Sequence, residues 1–361
     1  MEQTPASDAA DWSRLPADVL TSILCDLEFP DVFSSATVCT SWRATARALG
    51  RLGRSYTRPQ TPCLFYATAA GAELYSLAAG KSYKLPDPPG PPIADRHIWG
   101  SSHGWLVTAD AHSELHPLNP VTGEQLGLPP VATVEQVTPV LDDAGELSRY
   151  DLSFYNTAIP RKETQPQPYG PAELRGVLYL KAVLSCDPLR GGHCTIMLIH
   201  NSRRQLSFAR VESEQWHWIS TSPPYIQYSD CIYHDSAFYA MTLQGGIHRY
   251  TIKGSCASSC EVIFKDTLPY TAYNVYIART PSDDVLQVWR FTEDVSTGES
   301  SFDLHTDGFE IYKLDFDKQC IVSMDSLGDD ALFVGHSYTC CLSTKDYINL
   351  LPGRIYFTDD S

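Results

Sequence analysis

The stretch "SDCIYHDSAFYAMTLQGGIHRYTI", Ser229 to Ile252, reads as strand, turn, strand, Gly-Gly turn, strand. Its short apolar runs are aromatic and β-branched, the residue types that fit a pleated, half-buried surface. Asp235-Ser236 and Gly245-Gly246 are the punctuation, because such residues close tight turns at little conformational cost. The theme returns on both sides. "GWLVTAD" and "LHPLNPVTGEQLGLP", between Gly104 and Pro129, give two strands, a turn and a Leu-Pro end. "GDDALFVGHSYTCCLSTKDY" with "GRIYFTDD", between Gly328 and Asp360, repeats it. Runs such as "CLFYAT", "VLYLKAVL", "CTIMLIH", "NVYIART", "VLQVWRF" and "FEIYKLDF" fill the intervals. Strand runs about every ten residues suit a sandwich, a barrel or a propeller. The internal echoes favour the propeller, and about 300 residues at about 40 to 50 per blade predict about six blades. The run at Ile355–Phe357 is expected to close the ring in the blade region of the early strand at Leu64–Tyr66; the alternative is a final hairpin with "TCCLST".

The N-terminal segment breaks this pattern. In "LPADVLTSILCDL", Leu15, Val19, Leu20, Ile23, Leu24 and Leu27 recur at helical spacing and paint one broad apolar stripe. Pro16 belongs to the first helical turn, where its missing N–H would be unsatisfied anyway. Phe29-Pro30-Asp31 restarts the chain, and Val32, Phe33, Ala36 and Val38 give a second stripe. "VCTSWRATARAL" supplies a third through Cys39, Trp42, Ala46 and Leu49, with Gly50 as a stop. Three helices this short bury little by themselves, so part of their apolar surface needs the rest of the chain or a partner. Ile23, Leu27 and Val38 are expected to hold the helices to one another.

Taken whole, "LPADVLTSILCDLEFPDVFSSATVCTSWR" resembles an F-box, with the Leu-Pro opening, the mid-motif Pro30 and the closing Val-Cys-x-x-Trp at that family's spacing. The resemblance implies docking on the Skp adaptor of a cullin-RING ubiquitin ligase. The matching positions are Leu15, Pro16, Leu20, Ile23, Leu24, Val38, Cys39 and Trp42. A helix-in-groove contact anchored by a large aromatic fits that role. Gly104-Trp105-Leu106, the segment from Asn119 to Pro129, "WHWI" at Trp216–Ile219, "LGDDALFVG" at Leu327–Gly335 and the terminal "IYFTDD" resemble plant F-box proteins carrying domain of unknown function 295, a β-propeller. The expected architecture is mainly β, a C-terminal β-propeller of about six blades preceded by a small three-helix F-box. The expected divisions are a disordered N-terminus at 1–10, the F-box at 11–50, a linker at 51–61 and a propeller-like substrate-recognition domain at 62–361.

A net charge of −16 argues against nucleic acid as the main partner. The acid is concentrated late: from Asp283 to Ser361 there are sixteen acidic and five basic residues. Arg43, Arg47, Arg51, Arg54 and Arg58 form an acid-free cluster, read as a solvated helix face and linker or a docking patch for an acidic partner. The opening "MEQTPASDAADW" lacks the apolar core of a signal peptide, and no run has the length of a membrane span. Eleven scattered cysteines fit reduced thiols in the cytoplasm and/or nucleus. "CASSC", Cys256 to Cys260, has no matching second pair and reads as a loop.

One sequence satisfies a catalytic pattern. "GSSHG", Gly100 to Gly104, would make Ser102 a hydrolase nucleophile if a helix followed. "WLVTAD" follows instead, so an inter-blade turn is expected. No helical His-Glu-x-x-His signature, EF-hand loop, Walker loop or dinucleotide fingerprint occurs, and no metal or cofactor is expected. Trp216, Trp218, Tyr225 and Tyr228 are expected in blade cores and seams, with a recognition pocket as the other reading. The function implied is that of a substrate-recognition subunit of an SCF-type E3 ubiquitin ligase. It binds the Skp adaptor, and through it cullin, by the F-box, and an unidentified protein target by the propeller. Such a subunit is not itself catalytic; it accelerates transfer by proximity. The alternatives are a binding protein that sequesters its partner without degradation, and a propeller enzyme with a site in its channel.

Overall fold

In a computed structural model of the chain, the described residues are 12–51, 60–68, 71–85, 88, 90–155, 165–190, 193–220, 226–254, 256–267, 274–296, 302–347 and 349–358. The expectations for 1–10 and for most of the 51–61 linker fall outside them, as do Arg54, Arg58 and Tyr225. The chain divides into two compact units, Met1–Tyr66 with Glu73–Lys84, and Ala67–Ala72 with Leu85–Ser361.

The first unit holds helices α1 (Ala17–Cys25), α2 (Phe29–Ser35) and α3 (Thr40–Arg51). Leu20, Leu24 and Leu49 form their core, with Cys25, Leu27, Trp42 and Ala46 packed around it. Pro16 stands one step earlier than expected, as the N-cap of α1, and its carbonyl accepts the Leu20 N–H at 3.0 Å. The Glu28 carboxylate accepts hydrogen bonds from the Thr61 N–H at 3.2 Å and the Thr61 hydroxyl at 2.9 Å. That contact ties the helices to the lead-in of a three-stranded sheet, β1 (Cys63–Thr68), β2 (Gly71–Ser76) and β3 (Lys81–Lys84).

Among the described residues the second unit is built from six further sheets, in five of which strands that follow one another in the chain pair antiparallel. The first is β4 (His97–Ser102), β5 (Trp105–Ala109) and β6 (Leu115–Leu118); the next is β7 (Val137–Leu141), β8 (Leu147–Leu152) and β9 (Gln167–Tyr169). Helix α4 (Pro171–Leu178) follows, buries Leu174 and Leu178, and has the Glu173 carboxylate accepting the Gly170 N–H at its start. Then come β10 (Tyr179–Leu184), β11 (Thr195–His200), β12 (Gln205–Arg210) and β13 (His217–Ile219). The stretch from Ser229 lies in β14 (Tyr228–His234), β15 (Ala237–Thr242) and β16 (Ile247–Lys253), joined by β17 (Cys256–Phe264). Strands β18 (Val275–Arg279), β19 (Val285–Ser296), β20 (Phe302–Asp315) and β21 (Cys320–Ser323) form another four-stranded sheet. The last holds β22 (Asp330–Val334), β23 (Cys340–Ser343) and β24 (Ile355–Phe357).

Apolar clusters fill the seams between successive sheets. Met197, Phe208, Tyr228 and Phe238 lie between the β10 and β14 sheets, Met241, Phe264 and Ile277 between the β14 and β18 sheets, and Ala278, Val288 and Leu332 between the last two. Strands β4, β10, β14, β18 and β23 pack in that order around a central cavity. The ring closes where the Ser101 N–H donates to the Ser337 carbonyl at 3.2 Å and the rings of Trp99 and His336 meet edge-on. The sheet β7–β8–β9 lies outside this ring, against the core shared by Trp105, Tyr179 and Trp216. The fold is therefore mainly β and propeller-like, as expected; among the described residues five sheets contribute a strand to the channel, against an expectation of about six blades.

Three local expectations are corrected. Ile355–Phe357 pairs in parallel with β22, so it shares a sheet neither with Leu64–Tyr66 nor as a hairpin partner with "TCCLST". The Leu332 N–H donates to the Arg354 carbonyl and the Gly353 N–H to the Asp330 carbonyl, both at 2.9 Å, which seats the lead-in to this strand at the edge of the last blade, and closure falls to Ser337 instead. "CASSC" is not a loop but the start of β17, pairing with β16 across a bulge; an edge strand needs one partner only, so small polar residues suffice. The turn in "GSSHG" is within a sheet, joining β4 to β5, with His103 and Gly104 both at positive φ. Gly100 sits where two sheets nearly touch: a Cβ there would lie 2.0 Å from the Ala182 carbonyl oxygen.

His200 on β11 has no exposed surface; its Nδ1 faces the Asn201 carbonyl at 2.6 Å and its Nε2 the Ser207 hydroxyl at 2.9 Å. The ring is then neutral, with Nδ1–H donating and Nε2 accepting. Burial pushes its pKa down to about 4. Unfolded chains protonate this residue near pH 6.5. Stabilisation is thus complete above pH 6.5 and is lost as pH falls through about 4, by roughly 3 kcal/mol. Urea unfolding at pH 7 and pH 4.5 should show a smaller acid loss for His200→Gln than for the natural chain. Equal losses would refute this account.

Candidate functional site

The three-helix unit presents its matched motif in two halves. Leu20 and Leu24 are wholly buried, Leu15, Cys39 and Trp42 are half-buried, and Pro16, Ile23 and Val38 are exposed. Trp42 packs on the Leu20–Leu24–Leu49 core while its indole N–H donates to the Trp12 carbonyl at 3.0 Å. So Ile23 and Val38, expected to hold the helices together, do not; Leu27 does. Val19, missing from the expected contact set, stands out at 42% exposure one turn before Ile23. Pro16, Val19 and Ile23 share a face, since residues three and four apart on a helix are neighbours. The arrangement is an apolar patch over a separate core.

The second unit carries a cavity of about 240 Å³ at the centre of its strand ring. It is lined from β4 and its turn by Ser102 and His103, from β10 by Lys181, from β14 by Cys231 and His234, from β18 by Arg279, and from the last sheet by Ser337 to Leu342. Among the described residues none that lines it is acidic. Lys181 and Asp230, 5% and 1% exposed, form an ion pair between β10 and β14. The same carboxylate accepts the Cys231 N–H at 2.7 Å and the Ile277 N–H at 2.9 Å, so it joins three strands. The Ser102 hydroxyl accepts the Leu184 N–H at 3.4 Å and stitches β4 to β10. Sequence reasoning missed this set. The only signal was a charge inside each of two apolar strands, "LYLKAVL" and "SDCIYH".

The thiols that line the cavity are not activated. Burial pushes the Cys340 and Cys341 thiols up to about 12, and raises Cys231 further. Thiols so raised are poor nucleophiles near neutral pH. Burial lowers His103 below its usual value, which favours the neutral ring. Ser102 ends a strand with a second strand after it, so the geometry of a nucleophile elbow is not met. Of the aromatic residues weighed as a pocket, Trp216 and Tyr228 are buried in seams. Trp218 is half-buried against Tyr155, donating to Gln205 at 3.1 Å. Among the described residues there is no cluster of groups that could hold a metal ion, and no helix is long and apolar enough to cross a membrane.

A short helical unit with an unused apolar patch, followed by a ring of sheets around a channel, defines an F-box and β-propeller protein. Residues 12–52 match the F-box domain and residues 74–361 match the KIB1-4 β-propeller, so the chain belongs to the KIB1-4 β-propeller family. An F-box protein of Arabidopsis thaliana, At5g25290, is 23% identical over 368 residues, covering 96% of this chain and 86% of its own. F-box only protein 7 of the same plant is 23% identical over 96% of this chain and 84% of its own. Among solved structures, the Neurospora crassa Pan2 WD40 domain aligns over 73% of this chain and 62% of its own, at 10% identity and a TM-score of 0.31.

Proposed function

We propose that this chain is the substrate-recognition subunit of an SCF-type cullin-RING E3 ubiquitin ligase. The F-box takes the Skp adaptor, and through it cullin; the propeller takes a protein target. The chain is non-catalytic and works by raising the effective concentration of target beside the ubiquitin donor. Its place of action is the cytoplasm and/or nucleus. The motifs that suggested domain of unknown function 295 lie within 74–361, and we take both labels to describe one domain type. The divisions at 11–50 and 62–361 remain the proposed limits of the two functions.

The observation that carries this reading is the exposure of Pro16, Val19, Ile23 and Val38 beside a core that does not use them. Apolar residues left outside, rimmed by polar ones, mark a protein contact. Ile23→Asp with Val38→Asp should lower affinity for a purified Skp adaptor about 30-fold or more, the size of a hot-spot loss of about 2 kcal/mol. Both side chains are exposed, so the thermal melt should stay put. Leu15→Ala with Pro16→Ala is expected to act in the same direction. Unchanged adaptor binding in both double variants would refute the adaptor role.

A further inference from the structure

The mouth of the central channel is an electrostatic anomaly in this protein. The chain carries a net charge of −16, yet among the described residues the cavity is lined by the cations Lys181 and Arg279 and by no carboxylate. Low-dielectric walls lined by one sign of charge focus the field inside them. The Lys181 charge is cancelled by Asp230, so Arg279 is the cation left to act. Arg279 ends β18, and its Nη2 meets the exposed Asp283 across a tight turn. Its Nε has no hydrogen-bond partner among the described residues. Neither has the hydroxyl of Thr339, which is 4% exposed and lines the same cavity. Buried polar groups are normally satisfied, and two unsatisfied ones lining one cavity call for an explanation. His234 approaches the same Asp283 at 3.5 Å.

We propose that this mouth binds an anionic side chain of a protein target, a carboxylate or a phosphorylated hydroxyl, with Arg279 as the principal donor and Thr339 beside it. A guanidinium offers several N–H groups in a fixed fork, and charge-assisted bonds to carboxylate or phosphate are among the strong ones. Asp283 is the resident competitor that the ligand displaces from Arg279. The proposal rests on the target-receptor reading and names the chemistry the propeller selects.

The test uses full-length protein co-purified with the Skp adaptor and three peptide pools with degenerate flanks, fixed at one position as Glu, phosphoserine or Gln. The Glu or the phosphoserine pool should be retained at least ten-fold over Gln; which of them leads identifies the anion. Arg279→Gln should abolish that preference. Asp283→Asn should strengthen it several-fold, because the competing charge is gone; Asn tolerates the φ of 76° found there. A merely structural role for Arg279 would not move the two variants in opposite directions. Equal retention of all pools, or a preference that survives Arg279→Gln, overturns the proposal. So does inorganic phosphate binding as tightly as the phosphoserine pool, which would make the site one for free anions. Adaptor co-purification, read in the same samples, reports separately on the receptor reading.

Discussion

Asp230→Ala should destabilise the propeller by about 3–5 kcal/mol, the usual loss when one member of a buried ion pair is removed. A domain of this kind has about 5–15 kcal/mol in total, so much of its stability is at stake. The reason is local and countable. The alanine leaves the Lys181 ammonium buried without a counter-charge, and also strands the N–H groups of Cys231 and Ile277. Lys181→Met should cost less, because the carboxylate keeps two N–H donors. Combining Lys181→Met with Asp230→Leu should not restore stability, because those N–H groups remain unpaired. Denaturant unfolding of the three variants checks the ranking. A loss under 1 kcal/mol for Asp230→Ala would show that the carboxylate does not join β10, β14 and β18 in solution.

Trp216→Ala is the second large effect, about 3–5 kcal/mol for a buried aromatic. At 2–4 °C per kcal/mol that lowers the melting temperature on the order of 10 °C. Trp216 is 6% exposed in the core that also holds Trp105, Leu115, Val131 and Tyr179. Its indole N–H donates to the Pro129 carbonyl at 3.0 Å, and its backbone N–H to the Thr133 hydroxyl at 3.2 Å. Trp216→Phe keeps most of the apolar volume and loses the indole bond, so it should cost far less. Equal melts for the Ala variant and the natural chain would mean that this core does not bear on the cooperative transition.

The cadence of the fold was legible because a blade is a local object. Ser229–Ile252 shows its strands and turns directly, and β14, β15 and β16 follow it nearly residue for residue. Trp216 and Pro129 were each marked by a motif, but their contact spans two sheets and no spacing rule reports it. The Lys181–Asp230 pair was hidden for the same reason: a charge in an apolar strand announces a partner without naming it. In the F-box, the apolar stripe was legible but too wide. At about 100° per residue, Leu24 lies about 40° from Leu20, while Ile23 and Val19 turn about 60° and 100° away on the other side. Periodicity marks all of them as apolar and leaves the division between core and surface to the neighbouring helices.

Closure through Ser101 and Ser337 has a consequence for how the protein is made. Of the two residues that complete the ring, one leaves the ribosome early and the other late in the synthesis of the propeller. Contacts of such long sequence separation form late and slowly. Throughout synthesis, β4 therefore waits with an open flank, and open strand flanks are templates for association between chains. A message truncated anywhere before Ser337 would yield blades that fold and a ring that cannot shut, so the shortened product should partition into aggregates rather than persist as a smaller, stable receptor.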